Sequence, residues 1–176
     1  MRLQPAPDAC QKWGGQERWW WMNQNHRVSL SDVVRPDVIR IGVEARTREE
    51  AIRAAGKVLV ECGIAEERYT GAMLSVCDQL GPYIVLVPGV AIPHAAPEDG
   101  ALDVGLAVVV LAQPVCFGHS ENDPVHTVIA FASPDQNRHM GVLSALARFL
   151  GDPARCERMA HAQSVQDVID LLKEGS

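Results

Sequence analysis

One histidine in this chain combines a constrained backbone with small neighbours. His94 lies near the end of the run Gly89–Ala95, where it follows Pro93 and comes shortly after the strand-like segment Tyr83–Val87. Proline fixes its own φ and restricts the residue before it, and small neighbours leave the edge of an imidazole open to a partner. A covalent nucleophile must be both held in place and accessible. We therefore expect His94 to act as a nucleophile.

A second histidine is expected near the first. His139 falls in the first turns of a helix that follows the predicted strand Val125–Ala132. Strand exits gather at one edge of an α/β sheet, so the order of elements allows His94 and His139 to meet there. Strand alternation directs His126 to one face of the sheet, and the pattern leaves open whether it is structural or lines a site. The remaining histidines lie in polar surroundings and receive no role: His26, His119 and His161.

Other kinds of site lack their usual spacing. The possible zinc ligands are scattered along the chain and include no pair at the compact spacing typical of zinc sites. They are His94, His119, His126, His139 and Asp123. No GxSxG elbow surrounds a serine, and neither a P-loop nor GxGxxG is present, so we predict no metal and no cofactor. The net charge of −6, from 16 basic and 22 acidic residues, argues against nucleic-acid binding.

The composition divides the chain into two parts. Residues 1–29 hold all four tryptophans among Gln, Gly, Pro and Asn, and we expect either a disordered extension or an upstream start, with Met22 as the true one. Docking of these tryptophans on the domain or on a second subunit is the alternative. Residues 30–176 are expected to form one domain. Scattered cysteines, and the lack of a signal-like or membrane-spanning segment, favour the cytoplasm.

Strands alternate with helices through the domain. Strands are predicted at Val38–Val43, Tyr83–Val87, Val104–Ala112 and Val125–Ala132. Helix starts are predicted from N-cap and proline signals at Thr47–Glu50, Ser133-Pro134, Asp152-Pro153 and Ser164–Asp167. The third strand is continuously apolar, as expected for a strand covered on both faces. The pattern predicts an α/β fold with a central mixed, mostly parallel sheet flanked by helices on both faces.

The histidine motif resembles that of a known family. The run Leu80–Ala95 contains the specific core Pro-Gly-x-Ala-x-Pro-His-Ala, and the likeness extends from about Leu30 to the C-terminus. It includes three further segments, Pro97–Gly100, Asn122–Val125 and Val128–His139. The chain resembles enzyme IIA of the bacterial sugar phosphotransferase system, of the mannitol/fructose type and most closely its ascorbate-type branch.

The resemblance implies a phosphotransferase component with a phosphohistidine intermediate. His94 would accept a phosphoryl group from the phosphocarrier HPr and pass it to a cysteine of enzyme IIB, while His139 would stabilise the phosphoryl group. A membrane IIC subunit would be an indirect partner, and ascorbate or a related sugar the transported compound. Such transfer needs mainly positioning and charge stabilisation. We expect a backbone carbonyl bound to Nδ1–H of His94 to present Nε2, with a helix N-terminus adding positive potential.

Two departures from the family pattern concern arginine. Ala96 follows Ala95 where ascorbate-type members carry arginine, and Ser75–Gln79 offers none where the mannitol-type branch has one. Arginine is the side chain best suited to clamp a phosphate. Two other functions stay open: a regulatory domain whose phosphorylation state controls a partner protein, and a histidine-ligated metal hydrolase. A homodimer is left open as well.

Overall fold

The computed structural model describes residues 28–174, which form a five-stranded sheet in the order β1-β4-β5-β3-β2. The strands are β1 (Ile39–Val43), β2 (Val85–Val87), β3 (Val90–Ala91), β4 (Gly105–Val115) and β5 (Val125–Ala132). The pairs β1–β4 and β3–β5 are parallel, whereas β4–β5 and β2–β3 are antiparallel. The predicted mixed sheet is confirmed. Parallel pairs do not predominate, because β2–β3 and β4–β5 are joined by connections without a crossover helix.

Six α-helices occur within residues 28–174. They are α1 (Leu30–Val33), α2 (Arg48–Glu61), α3 (Glu67–Leu80), α4 (Gln136–Leu150), α5 (Pro153–Ala160) and α6 (Val165–Glu174). The predicted start signals of α2, α5 and α6 are confirmed, since Thr47, Asp152 and Ser164 each accept a backbone N–H of the first turn through a side-chain oxygen.

The predicted start of α4 was wrong by two residues. Asp135 is the N-cap, and its carboxylate accepts the N–H of Arg138 at 2.8 Å. The Ser133 hydroxyl instead donates to the carbonyl of Asp135 at 3.0 Å. A carboxylate is an equally good cap that also complements the helix dipole, so the chain uses the acid that follows the serine-proline pair.

The long strand β4 runs through the core. Every residue from Gly105 to Leu111 is buried, and Leu106 to Val109 have no exposed surface. Successive side chains point to opposite faces of a sheet, so burial of the whole run requires cover on both faces. Helix α2 packs on β4 and β5, while α5 contacts these two strands and α6 contacts β1. The predicted helical cover on both faces is confirmed.

A short hairpin precedes His94 where the sequence indicated a single strand. Pro82–Ile84 forms a 3₁₀ turn, β2 begins only at Val85, and the chain reverses at Gly89 before β3. Gly89 has φ 77°, and an added Cβ there would lie 2.0 Å from Nε2 of His126. The reversal therefore needs glycine, and it turns β3 parallel to β5.

Some predictions fall outside the described residues. Residues 1–27, with the tryptophans, Met22 and His26, and the last two residues are not described. The proposed division between an extension and a domain therefore stays a prediction. In residues 28–174, no helix is both long enough and apolar enough to cross a membrane.

Candidate functional site

The exits of β3 and β5 bring two histidines together. β3 pairs in parallel with β5 through Ala91 and Val128, so both chains leave the sheet at the same edge. His94 follows β3 by way of Pro93, and His139 lies in the first turns of α4, which follows β5. The ring centroids of His94 and His139 are 5.4 Å apart, with 60° between the ring planes. The meeting expected from the order of elements is therefore found.

The His94 ring has a defined tautomer. Its Nδ1 lies 2.9 Å from the carbonyl oxygen of Ile92. A carbonyl only accepts hydrogen bonds, so Nδ1 carries the proton and Nε2 is left with a free lone pair. Burial lowers the pKa of His94 below its ordinary value, and the bond to Ile92 offsets part of that shift. The ring is thus neutral near pH 7 with Nε2 unprotonated, which is the tautomer that the sequence analysis expected.

Phe131 holds the plane of the His94 ring, and the sequence analysis missed it. The two rings stack with centroids 4.8 Å apart and 25° between their planes. The Phe131 ring is also 4.9 Å from that of His139. Phe131 is fully buried one residue before the end of β5. Its place at a strand exit is the one signal in the sequence that points to the site.

His139 combines burial with an unpaired nitrogen. The residue is only 8% exposed. Among the buried side-chain nitrogen and oxygen atoms of residues 28–174, Nδ1 of His139 is the one without a hydrogen-bond partner. Burial lowers the pKa of His139, and the proximity of His94 lowers it further. A buried polar atom without a partner costs free energy, and this nitrogen gives His139 unused hydrogen-bonding capacity beside His94.

A cavity of about 240 Å³ opens beside the two histidines. It is lined by Val76, His94, Ala95, Ala96, Pro97, Gln136 and His139. None of these described lining residues is a lysine or arginine, in keeping with the two departures noted in the sequence. The nearby Arg138 is paired with Asp135 at 3.4 Å. Gln136, the first residue of α4, brings the positive end of that helix dipole to the cavity.

The other histidines lie elsewhere. His126 sits at the opposite end of β5, where it lines a separate cavity of about 470 Å³ together with His161. Its Nδ1 lies 3.0 Å from the Thr127 hydroxyl. The sequence left open whether His126 is structural or lines a site, and the structure places it in a cavity away from His94. His119 has a structural role, because its Nδ1 accepts the N–H groups of Glu121 and Asn122.

The residues of the hypothetical zinc set do not meet at one point. The Asp123 carboxylate accepts three backbone N–H groups of its own loop, from residues 117 to 119. Within residues 28–174, no group of three or more His, Cys, Asp or Glu side chains is arranged to hold a metal ion. The pair that the fold does bring together is His94 and His139.

Comparison with known proteins gives consistent matches. Residues 32–175 match the family described as "Phosphoenolpyruvate-dependent sugar phosphotransferase system, EIIA 2". The ascorbate-specific PTS system EIIA component of Salmonella choleraesuis (strain SC-B67) is 37% identical over 135 residues, which is 76% of this chain and 88% of that protein.

Two solved structures share the fold. The crystal structure of IIA mannitol from Escherichia coli is 36% identical with a TM-score of 0.70, covering 79% of this chain and 98% of its own. The complex of enzyme IIA mannitol with phosphorylated enzyme IIB mannitol, also from Escherichia coli, is 35% identical with a TM-score of 0.71, covering 80% and 97%. The family match over residues 32–175 includes both histidines. This chain belongs to the EIIA type 2 family of the phosphoenolpyruvate-dependent sugar phosphotransferase system.

Proposed function

We propose that the chain is a phosphoryl carrier in which Nε2 of His94 accepts a phosphoryl group from HPr and passes it to a cysteine of enzyme IIB. The observation that carries the proposal is the bond from Nδ1–H of His94 to the Ile92 carbonyl. This bond leaves Nε2 unprotonated in a ring that borders an open cavity. A neutral, oriented imidazole is the form that attacks phosphorus.

The transfer step balances on the His94 ring. A bond forms between Nε2 and phosphorus while the bond between phosphorus and the donor breaks. The ring keeps its proton on Nδ1 and becomes a phosphorylated imidazolium, whose positive charge strengthens the hydrogen bond to Ile92. Transfer to a cysteine thiolate of enzyme IIB forms a phosphorus–sulfur bond, breaks the phosphorus–nitrogen bond and returns the ring to its neutral state.

Neutral donors stabilise the phosphoryl oxygens. His139 lies edge-on to His94, and an N–H of its ring donates to the group held on Nε2. The N-terminal end of α4 at Gln136 adds positive potential without a full charge. Because no lysine or arginine is among the described residues that line the cavity, the group is held by hydrogen bonds and the helix dipole.

The relatives support the proposed sugar and the proposed acceptor. The family relative from Salmonella is named as ascorbate-specific, and the mannitol IIA neighbour is seen in complex with phosphorylated IIB. We accordingly assign the chain to uptake of ascorbate or a related sugar, with HPr as donor, enzyme IIB as acceptor and a membrane IIC subunit as the indirect partner. Such a carrier works in the cytoplasm, where HPr and enzyme IIB meet it.

The test is phosphorylation of the protein in a reconstituted phosphotransfer pathway. The protein is incubated with phosphoenolpyruvate, enzyme I and HPr, and acid-labile, alkali-stable phosphate is measured on it. We expect label on the unaltered protein and none on His94→Gln. The exposed His161 provides the matched control, since His161→Gln removes an imidazole outside this cavity and should label normally. Label that persists on His94→Gln would contradict the site assignment.

A second measurement separates transport from regulation. Phosphorylated protein is mixed with a panel of enzyme IIB proteins, including an ascorbate-type one, and the loss of phosphate from His94 is followed. Rapid transfer to the IIB cysteine supports the transport role. Phosphate that stays on His94 with every member of the panel would favour the regulatory alternative.

A further inference from the structure

The backbone hydrogen bonds between β3 and β5 end just before His94. The pairing of β3 with β5 ends at Ala91 and Val128, and Pro93 has no N–H to donate. Ala95, directly after His94, is nevertheless only 3% exposed. Buried backbone groups need partners, so the peptide groups around His94 must be held by something other than the sheet.

The Tyr69 hydroxyl forms hydrogen bonds with the backbone next to His94. Tyr69 lies on α3 and is 1% exposed. Its oxygen accepts the N–H of Ala95 at 3.1 Å, and its proton faces the carbonyl oxygens of Ala95 at 3.1 Å and of Phe131 at 3.0 Å. Burial raises the pKa of Tyr69 to about 12, so the hydroxyl keeps its proton at any pH at which the protein works. One oxygen thereby joins two chain segments that the sheet does not join.

Both segments bound by Tyr69 hold the His94 ring. One is the backbone that continues from His94, and the other carries the Phe131 ring, which stacks on the imidazole at 4.8 Å. A shift of Ala95 relative to Phe131 would therefore turn the imidazole against its stacking partner. Because a small misplacement of a reacting group slows a reaction strongly, the position of this hydroxyl bears on the rate at Nε2.

We infer that Tyr69 is a positioning residue for phosphoryl transfer, acting through the backbone of Ala95 and Phe131 to hold the His94 ring in its reactive orientation. The kinetic part of this inference rests on the proposed function of His94. The geometric part concerns the ring alone and is independent of any phosphate donor.

The kinetic test uses the two tyrosines of the chain as a matched pair. Tyr69→Phe removes one oxygen and keeps the buried ring, and Tyr83→Phe makes the same change on a side chain that is 45% exposed. For Tyr69→Phe we expect the kcat of phosphoryl transfer from HPr to fall about 10-fold or more. KM for HPr should stay within about twofold, because the docking surface is unchanged. Tyr83→Phe should match the unaltered protein in both constants.

The geometric test reads the ring nitrogens directly. Nitrogen-15 NMR of the unaltered protein should show His94 in the single tautomer with the proton on Nδ1, whereas Tyr69→Phe should show a mixture of tautomers. An equal rate and an unchanged tautomer in Tyr69→Phe would overturn the inference while leaving His94 as the phosphorylated residue. If the unaltered protein takes up no phosphate, the proposed function fails, and the nitrogen spectra still decide the positioning role.

Loss of folding in Tyr69→Phe would not remove the test. In the unaltered protein we then expect a slowly exchanging Tyr69 hydroxyl proton with a nuclear Overhauser effect to the Ala95 amide proton. A hydroxyl proton that exchanges rapidly with water would overturn the inference.

Discussion

The imidazole of His139 lies edge-on to that of His94, with the ring centroids 5.4 Å apart. Burial is the main cause that lowers the pKa of each ring, so both are neutral near pH 7. Two neutral imidazoles can divide the work: His94 offers a lone pair at Nε2, and His139 offers an N–H. A pair of charged rings would repel each other and leave no nucleophile.

Removal of the His139 ring should slow transfer without abolishing it. His139→Ala deletes a donor to the phosphoryl oxygens, and loss of one such donor costs about 100-fold or more in rate. His139→Gln keeps an amide N–H and should lose less. The measurement is the single-turnover rate of phosphorylation by HPr, with His161→Ala as the control. A His139→Ala protein that reacts at the rate of the unaltered protein would rule out the stabilising role.

The midpoint of the acid-induced loss of phosphorylation rate should lie below pH 6.5. Only the neutral His94 ring attacks, and its pKa is lowered from 6.5, first by burial. The rate should therefore fall to half of its plateau value only at a pH below 6.5, when the ring takes up a second proton. A pH–rate profile, together with NMR titration of the His94 ring protons, checks this. A midpoint above 6.5 would contradict it.

Acid should destabilise the domain through its buried histidines. His94, His126 and His139 all have pKa values lowered from 6.5 in the folded protein, with burial as the first cause. Below pH 6.5 the unfolded chain binds protons that the folded chain does not, so the free energy of unfolding falls as the pH falls. Urea unfolding at about pH 7.5 and about pH 5.5 measures the loss. His126→Gln should reduce it, and an equal loss in that variant would contradict this origin.

Two helical glycines should respond in opposite directions to alanine. A Cβ added at Gly56 in α2 would lie 2.3 Å from Oγ1 of Thr70 in α3, whereas at Gly71 nothing lies within 4 Å. Gly56→Ala forces these two helices apart and should lower the free energy of unfolding by about 1–3 kcal/mol. Gly71→Ala should raise it by about 0.5–1 kcal/mol, because alanine loses less backbone entropy. Urea unfolding of both variants decides, and equal effects would contradict the packing of α2 on α3.

An arginine at position 96 should stabilise the phosphorylated form of His94. Ala96 lines the cavity, where no described lining residue is cationic. A guanidinium there would form charge-assisted hydrogen bonds to the phosphoryl oxygens, and Ala96→Arg should shift the phosphotransfer equilibrium towards phospho-His94 by about fivefold. Ala96→Met, of similar length without charge, is the control. The ratio of phosphorylated to free protein at fixed HPr measures the effect, and equal ratios in both variants would contradict it.

Local signals predicted those elements that their own residues stabilise. The strand Val125–Ala132 was predicted with the bounds that the structure gives it, because a run rich in β-branched and aromatic residues favours a strand by itself. The hairpin of β2 and β3 was missed, since strands of three and two residues exist only through their partners. The start of α4 was misplaced because serine and aspartate are both good caps.

The same distinction between local sequence and long-range packing applies to the site. Pro93 and the small residues around His94 are local facts of the chain, and they suffice to single out His94 as a constrained, accessible imidazole. Its working environment comes from residues far along the chain: Phe131 stacks on it, and Tyr69 lies 26 residues from Ala95 and 62 from Phe131. Burial of the ring, which keeps it neutral, and the approach of His139 depend on how the β3 and β5 exits pack. The immediate neighbours of a residue do not encode such long-range contacts. The local sequence therefore singles out His94, whereas the packing sets the geometry and the pKa of its ring.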